Sequence, residues 1–163
     1  MKIKFSPAFP TALRSEVEDL LEPLAPLVNL HVDEVRVALK GAEADIQGEA
    51  CIIVKREYHA VLLWLDPVFF GLDEDEKAST ILHEFFHVLV DLYSREVQRA
   101  VINFVPEGMQ EYVWSVLEDA EEQLVNSLAI SFERLLAYLT PAHAGGSVSG
   151  KAIKDFYEES LTA

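Results

Sequence analysis

Disulfide chemistry has almost nothing to work with in this chain: Cys51 is the only cysteine among 163 residues, so no intramolecular disulfide can form. That agrees with a reducing compartment, and Cys51 is expected to pack as a small apolar residue in a strand. Long apolar runs are missing as well. No stretch reaches the roughly 18 uninterrupted apolar residues of a membrane span. The opening Met1-Lys2-Ile3-Lys4-Phe5-Ser6-Pro7 lacks the apolar region and small-residue cleavage site of a secretory signal. A cytoplasmic location is the expectation. Basic residues are scarce, with 13 Lys and Arg against 28 Asp and Glu and a formal net charge of −15. Such a field repels phosphate backbones and anionic lipid, which argues against nucleic acid or a membrane surface as partner. No internal repeat is evident, which sets aside solenoids and arrays.

What the chain does contain is half apolar and a quarter charged, the composition of a globular protein able to bury a core. Residues 1–144 read as one domain, Gly145-Gly146-Ser147-Val148-Ser149-Gly150 as a flexible linker, and residues 151–163 as a tail helix with Ile153, Phe156 and Tyr157 on its apolar side. Within the domain, residues 2–6 alternate as a short strand. Leu13, Val17, Leu20 and Leu21 then recur at helical spacing until Pro23. Val35, Val37 and Leu39 alternate as a second strand, and residues 50–54 and 59–65 form a hairpin pattern rich in aliphatic residues. Asp73 with Glu76 three residues on matches a capping box, opening a helix expected to reach the low nineties. Pro106-Glu107 starts another helix, striped by Val113, Leu117, Leu124, Leu128, Leu135 and Leu139 and stopped by Thr140-Pro141. The sum is an α+β plan, a small, mainly antiparallel sheet beside a helical half.

The first long helix contains His83-Glu84-Phe85-Phe86-His87. Residues four apart on a helix point within roughly 40° of each other, so the two imidazoles share one face. Zinc takes neutral imidazole nitrogen at about 2.0–2.1 Å, and a catalytic site keeps three protein ligands with a fourth position for water. Glu84 would then be the general base, taking a proton from a zinc-activated water as it attacks a peptide carbonyl and passing it to the leaving amine. The bland alternative is a solvated helix surface. Thr80-Ile81-Leu82 before the motif and Val88-Leu89-Val90 after it make that alternative costly, since polar groups in an apolar helix need partners and a shared metal supplies them.

A third ligand must come from downstream, and no histidine follows at the short spacing of the metzincins. The second long helix offers Glu118, Glu121 and Glu122. Two criteria choose differently. Glu121 lies amid Leu117, Leu124, Val125 and Leu128 on the apolar stripe. Glu122 is followed one turn later by Asn126, whose amide oxygen can accept the N–H of a metal-bound histidine and fix its tautomer.

His83-Glu84-x-x-His87 followed by Glu122-Gln123-Leu124-Val125-Asn126 resembles the gluzincin arrangement. It looks like minimal gluzincins of the ImmA/IrrE type and related small phage and bacterial metallopeptidase-like proteins, over roughly residues 50–130. The resemblance implies a zincin-like fold, a Zn2+ cofactor, and a protein or peptide substrate. It makes His83, His87 and Glu122 the ligands, Glu84 the base and Asn126 the orienting residue, with Glu121 as the alternative third ligand. Two departures are Asn where the pattern often has Asp, and an offset of 35 positions from His87 to Glu122. It further implies substrate binding along the sheet edge beside the active-site helix. That edge is expected to be residues 59–65, unless this strand is internal and its Val61, Leu63 and Leu65 are core.

Other residues carry weaker signals. His31, His59 and His143 are isolated and read as surface or satisfied histidines. Tyr112 or Tyr138 is a candidate donor to a tetrahedral oxyanion, or a helix-face aromatic. Phe85 and Phe86 read as packing residues, Trp64 and Trp114 as core or cleft wall. Three functions compete: peptide hydrolysis, a zinc-binding regulatory or protein-interaction domain with little turnover, and a metal-free domain with a chance motif.

Overall fold

The computed structural model of the chain describes residues 1–25, 32–40, 48–55 and 59–139. Its strands β1 (Lys2–Phe5), β2 (Glu34–Leu39), β3 (Ala50–Lys55) and β4 (Ala60–Leu65) form one sheet in the order β1-β2-β4-β3. Three α-helices are described: α1 (Arg14–Leu21), α2 (Glu74–Phe104) and α3 (Glu107–Leu139). Short 3-10 turns flank α1 at Thr11–Leu13 and Glu22–Leu24, and another, Pro67–Gly71, joins β4 to α2. The expected linker at 145–150, the tail helix at 151–163, His31 and His143 lie outside the described residues. No described helix is long and apolar enough to cross a membrane.

The mixed α and β content fits the α+β expectation, but the strand pairing corrects its detail. β1 pairs with β2 and β2 with β4 in parallel, and only β3 with β4 is antiparallel. The sheet is therefore mixed rather than mainly antiparallel. β1 reaches β2 through α1, a crossover that leaves the two strands parallel. The β3–β4 hairpin then docks with its second strand innermost, so β4 lies between β2 and β3. Residues 59–65 are thus internal, and the free edge beside the helices belongs to β3.

Pleat alternation and register bring one row of apolar side chains together. Val35 pairs with Val61 and Val37 with Leu63, while Ile52 and Val54 continue the row from β3 and Ile3 and Phe5 from β1. Val17 and Leu21 of α1, Ile81, Leu82, Phe85 and Val88 of α2, and Phe69 belong to the same buried cluster. Burying this face supplies the main stabilisation, at about 25 cal/mol per Å2 of apolar surface.

α2 begins with the expected capping box. The Asp73 carboxylate accepts from the Glu76 N–H (2.8 Å), and the Glu76 carboxylate accepts from the Asp73 N–H (3.1 Å). The helix runs to Phe104 rather than stopping in the low nineties, because no Gly or Pro interrupts residues 74–104. It ends where Pro106 pushes Val105 into extended geometry, φ −94 and ψ 128. α3 returns alongside α2, tied by Ser79 Oγ donating to Glu133 (2.8 Å) and by the Phe86 and Phe132 rings 5.9 Å apart. Val125 and Ala129 are buried at this seam.

Leu63, fully buried at the centre of the sheet, and the exposed Asp73 cap make a graded test. In urea denaturation followed by circular dichroism, Leu63→Ala is expected to cost about 2–5 kcal/mol. Asp73→Ala should cost about 1 kcal/mol. Equal small losses would contradict the placement of Leu63 in the core.

Candidate metal centre

α2 carries His83 and His87 one turn apart, and their Nε2 atoms approach to 3.2 Å. From α3, Glu122 places Oε1 3.3 Å from His87 Nε2 and Oε2 3.6 Å from His83 Nε2. The ligand-capable atoms of the three residues all lie within 4.8 Å of one another. Tetrahedral coordination with bonds of 2.0–2.2 Å has ligand–ligand edges of roughly 3.3–3.6 Å, so this triangle is of the right size for one ion.

Glu121 sits differently. Its Oε1 is 3.4 Å from His87 Nδ1, on the far side of the ring from the triangle. Asn126 lies close enough to His83 to pull its pKa upward. His87 therefore has a carboxylate behind it and the other members of the triangle in front. A neutral ring that gives its N–H to the outer acceptor presents a lone pair inward. Two such lone pairs and a carboxylate repel one another at these distances, and a cation between them relieves the repulsion. The donor set of two imidazoles and one carboxylate suits a borderline ion such as zinc.

Electrostatics point the same way. Burial pushes the His83 pKa below the ordinary histidine value, and the neighbouring His87 adds to this, while Glu122 and Asn126 pull it back up. The neutral, ligating form is thereby favoured. Burial raises the Glu84 pKa, with Glu122 adding to the rise and with His87 and a hydrogen bond from the Ile52 N–H opposing it. Glu84 thus shares one cleft with the metal-sized triangle and the backbone of the edge strand.

That strand forms one wall of a cleft of about 960 Å3, with α2 opposite and Glu121 and Glu122 at the end supplied by α3. Ladder alternation turns the backbone groups of Ile52 and Val54 outward into this cleft. Glu84 meets the first, and Arg95 Nη2 donates to the Val54 carbonyl at 3.4 Å while its Nε donates to Asp91 at 3.1 Å. Arg95 and Ile52 went unnoticed in the sequence. Arg95 was findable, since it follows His87 by eight residues on the same helix face.

The remaining candidates fall away from the centre. Glu118 is exposed and outside the triangle. Tyr112 is 71% exposed on α3, nine residues before Glu121, and is not a wall of the cleft. The side chain of Tyr138 lies outside the described residues. His59 serves the backbone: it adopts φ +46, and its carbonyl accepts from the N–H groups of Asp33 (2.7 Å) and Glu34 (3.2 Å). Phe85 and Phe86 are buried, and Trp64 and Trp114 are half-buried. Cys51 is half-buried, with its thiol pKa pushed up by burial and then by the charge of Glu84.

Compared with known proteins, the chain matches no family model, no curated protein and no solved structure. The centre therefore rests on its own geometry, and two neighbouring carboxylates separate the assignments. By elemental analysis, wild type is expected to hold about one zinc per chain and Glu122→Ala to lose it. Glu121→Ala should keep the metal with affinity weakened about 10–100-fold, as for an outer partner of a ligating histidine. The reverse pattern would make Glu121 the third ligand.

Proposed function

We propose that this chain is a zinc-dependent hydrolase of peptide bonds, of the gluzincin kind that its motifs resemble. The observation that carries the reading is the position of Glu84. It lines the same cleft as a triangle of donors of the right size and type for zinc, close to the Ile52 N–H of the edge strand that forms the cleft's wall. Metal ligation alone does not call for a half-buried carboxylate there. Hydrolysis does, because a base must lie within hydrogen-bond reach of both the attacking water and the substrate amide.

His83, His87 and Glu122 would hold the ion, which when bound supplies Lewis-acid polarisation of a carbonyl and acidifies water. Glu121 and Asn126 keep the two imidazoles in their ligating tautomers and orientations. Glu84 accepts a proton from the attacking water and returns it to the nitrogen of the departing amine. Burial favours this role, since a carboxylate whose proton affinity is raised is a better base for water and a better acid for the amine.

The substrate in this reading is an extended peptide lying along β3. Outward backbone groups at Ile52 and Val54 give it partners, in place of the internal strand at residues 59–65. Glu84 and Arg95 occupy those groups in the chain by itself, so an arriving peptide exchanges its own backbone for theirs.

Glu84→Gln tests the reading directly. Incubated with an unstructured polypeptide and followed by mass spectrometry, wild type loaded with zinc is expected to yield discrete fragments, which a chelator suppresses. Glu84→Gln should retain zinc and lose cleavage by about 100-fold or more. Equal cleavage by both proteins would remove Glu84 from the chemistry. Bound zinc with no cleavage by either would favour the regulatory, non-hydrolytic reading.

A further inference from the structure

α2 and α3 run on well past the sheet as a two-helix arm. From Tyr93 to Ala120 every residue but Val101 is exposed or half-buried. Two antiparallel helices in contact bury only one stripe each. On this arm a second stripe stays open on both. Tyr93, Val97 and Phe104 recur on α2 at spacings of four and seven residues and are 76%, 42% and 84% exposed. Met109, Tyr112 and Val116 recur on α3 at three and four and are 55%, 71% and 48% exposed.

Their angular positions matter more than their number. At 100° per residue, the α2 stripe lies about 140° from the cleft-facing row of His87, Asp91 and Arg95. Taking the buried Val101 on α2 and the half-buried Leu117 on α3 as the sides that face each other, the same construction turns the α3 stripe to that side too. The two stripes therefore make one face of the arm, turned away from the cleft. Glu107, Glu111 and Glu118, spaced at four and seven, lie on the opposite side of α3. The apolar face is thus the part of this acidic arm where a second strongly acidic molecule meets the least opposing charge.

We propose that this face pairs with the same face of a second copy of the chain, the two arms forming an antiparallel four-helix bundle about a two-fold axis. At the exposures given, the six side chains offer on the order of 700 Å2, close to the ~800 Å2 per partner of a standard stable interface. A single protein rarely leaves a contiguous apolar patch of that size uncovered. Two layers of two helices are the smallest arrangement that covers both stripes, and a two-fold axis lets identical faces do so. Both clefts stay open, because the face points away from them. The proposal is independent of whether the centre binds zinc.

Sedimentation equilibrium of the full chain tests it, with salt varied. Wild type is expected at twice the chain mass at micromolar concentration. Association should tighten as salt rises, since the −15 charge on each copy is screened while apolar contact remains. Phe104→Glu combined with Tyr112→Glu should give a folded monomer, with an unchanged far-ultraviolet spectrum and at least a 100-fold weaker association. Amides of residues 93–116 should exchange more slowly in wild type as concentration increases. A wild-type monomer up to about 200 μM, a dimer untouched by the double substitution, or a dimer weakened by salt would each overturn the proposal.

Discussion

Packing of α3 on α2, with Val125 and Ala129 buried and Phe132 against Phe86, fixes the axial offset of two helices more than thirty residues long. Everything polar in the centre depends on that offset. His83 and His87 are one turn apart on α2, whereas Glu121, Glu122 and Asn126 span little more than one turn of α3. A slip of one turn, about 5.4 Å, would leave both histidines without a carboxylate. Ser79 bonded to Glu133 and the capping box at Asp73 secure the start of α2, next to the motif. The sheet adds the other wall, since β3 lines the cleft and brings the Ile52 N–H close to Glu84.

Glu121 and Glu122 show how local and spatial information divide the work. From the sequence, the apolar stripe pointed to one and the Asn126 spacing to the other. Both signals had a physical source. Consecutive helix residues point 100° apart, so the two carboxylates approach His87 from different sides: Glu121 reaches Nδ1, and Glu122 lies before Nε2. Position on a stripe reports nearness to the neighbouring helix, which Glu121 has. It does not report which ring nitrogen is met, because that depends on the rotation of α2.

Elements with a local code were legible: the capping box, the His-Glu-x-x-His face, the hairpin strands and the start of α3 at Glu107. The order of strands was not, because a hairpin pattern says that β3 and β4 pair and nothing about which of them docks on β2. A usable signal lay in Ala60-Val61-Leu62-Leu63-Trp64-Leu65, which has no polar residue, as befits a strand flanked on both sides, whereas β3 ends in Lys55. The length of α2 was legible too, in the absence of Gly and Pro before Pro106. What hid it was the fading of the core-facing apolar stripe beyond residue 92, where the helix leaves the sheet.

The proposed chemistry requires one ion among His83, His87 and Glu122. Zinc K-edge X-ray absorption of the purified protein reads that environment without reference to activity. Four nitrogen or oxygen scatterers at about 2.0–2.1 Å, with the outer-shell pattern of two imidazoles, are predicted. A sulfur scatterer near 2.3 Å, which would bring in Cys51, or a six-oxygen shell without imidazole would contradict it.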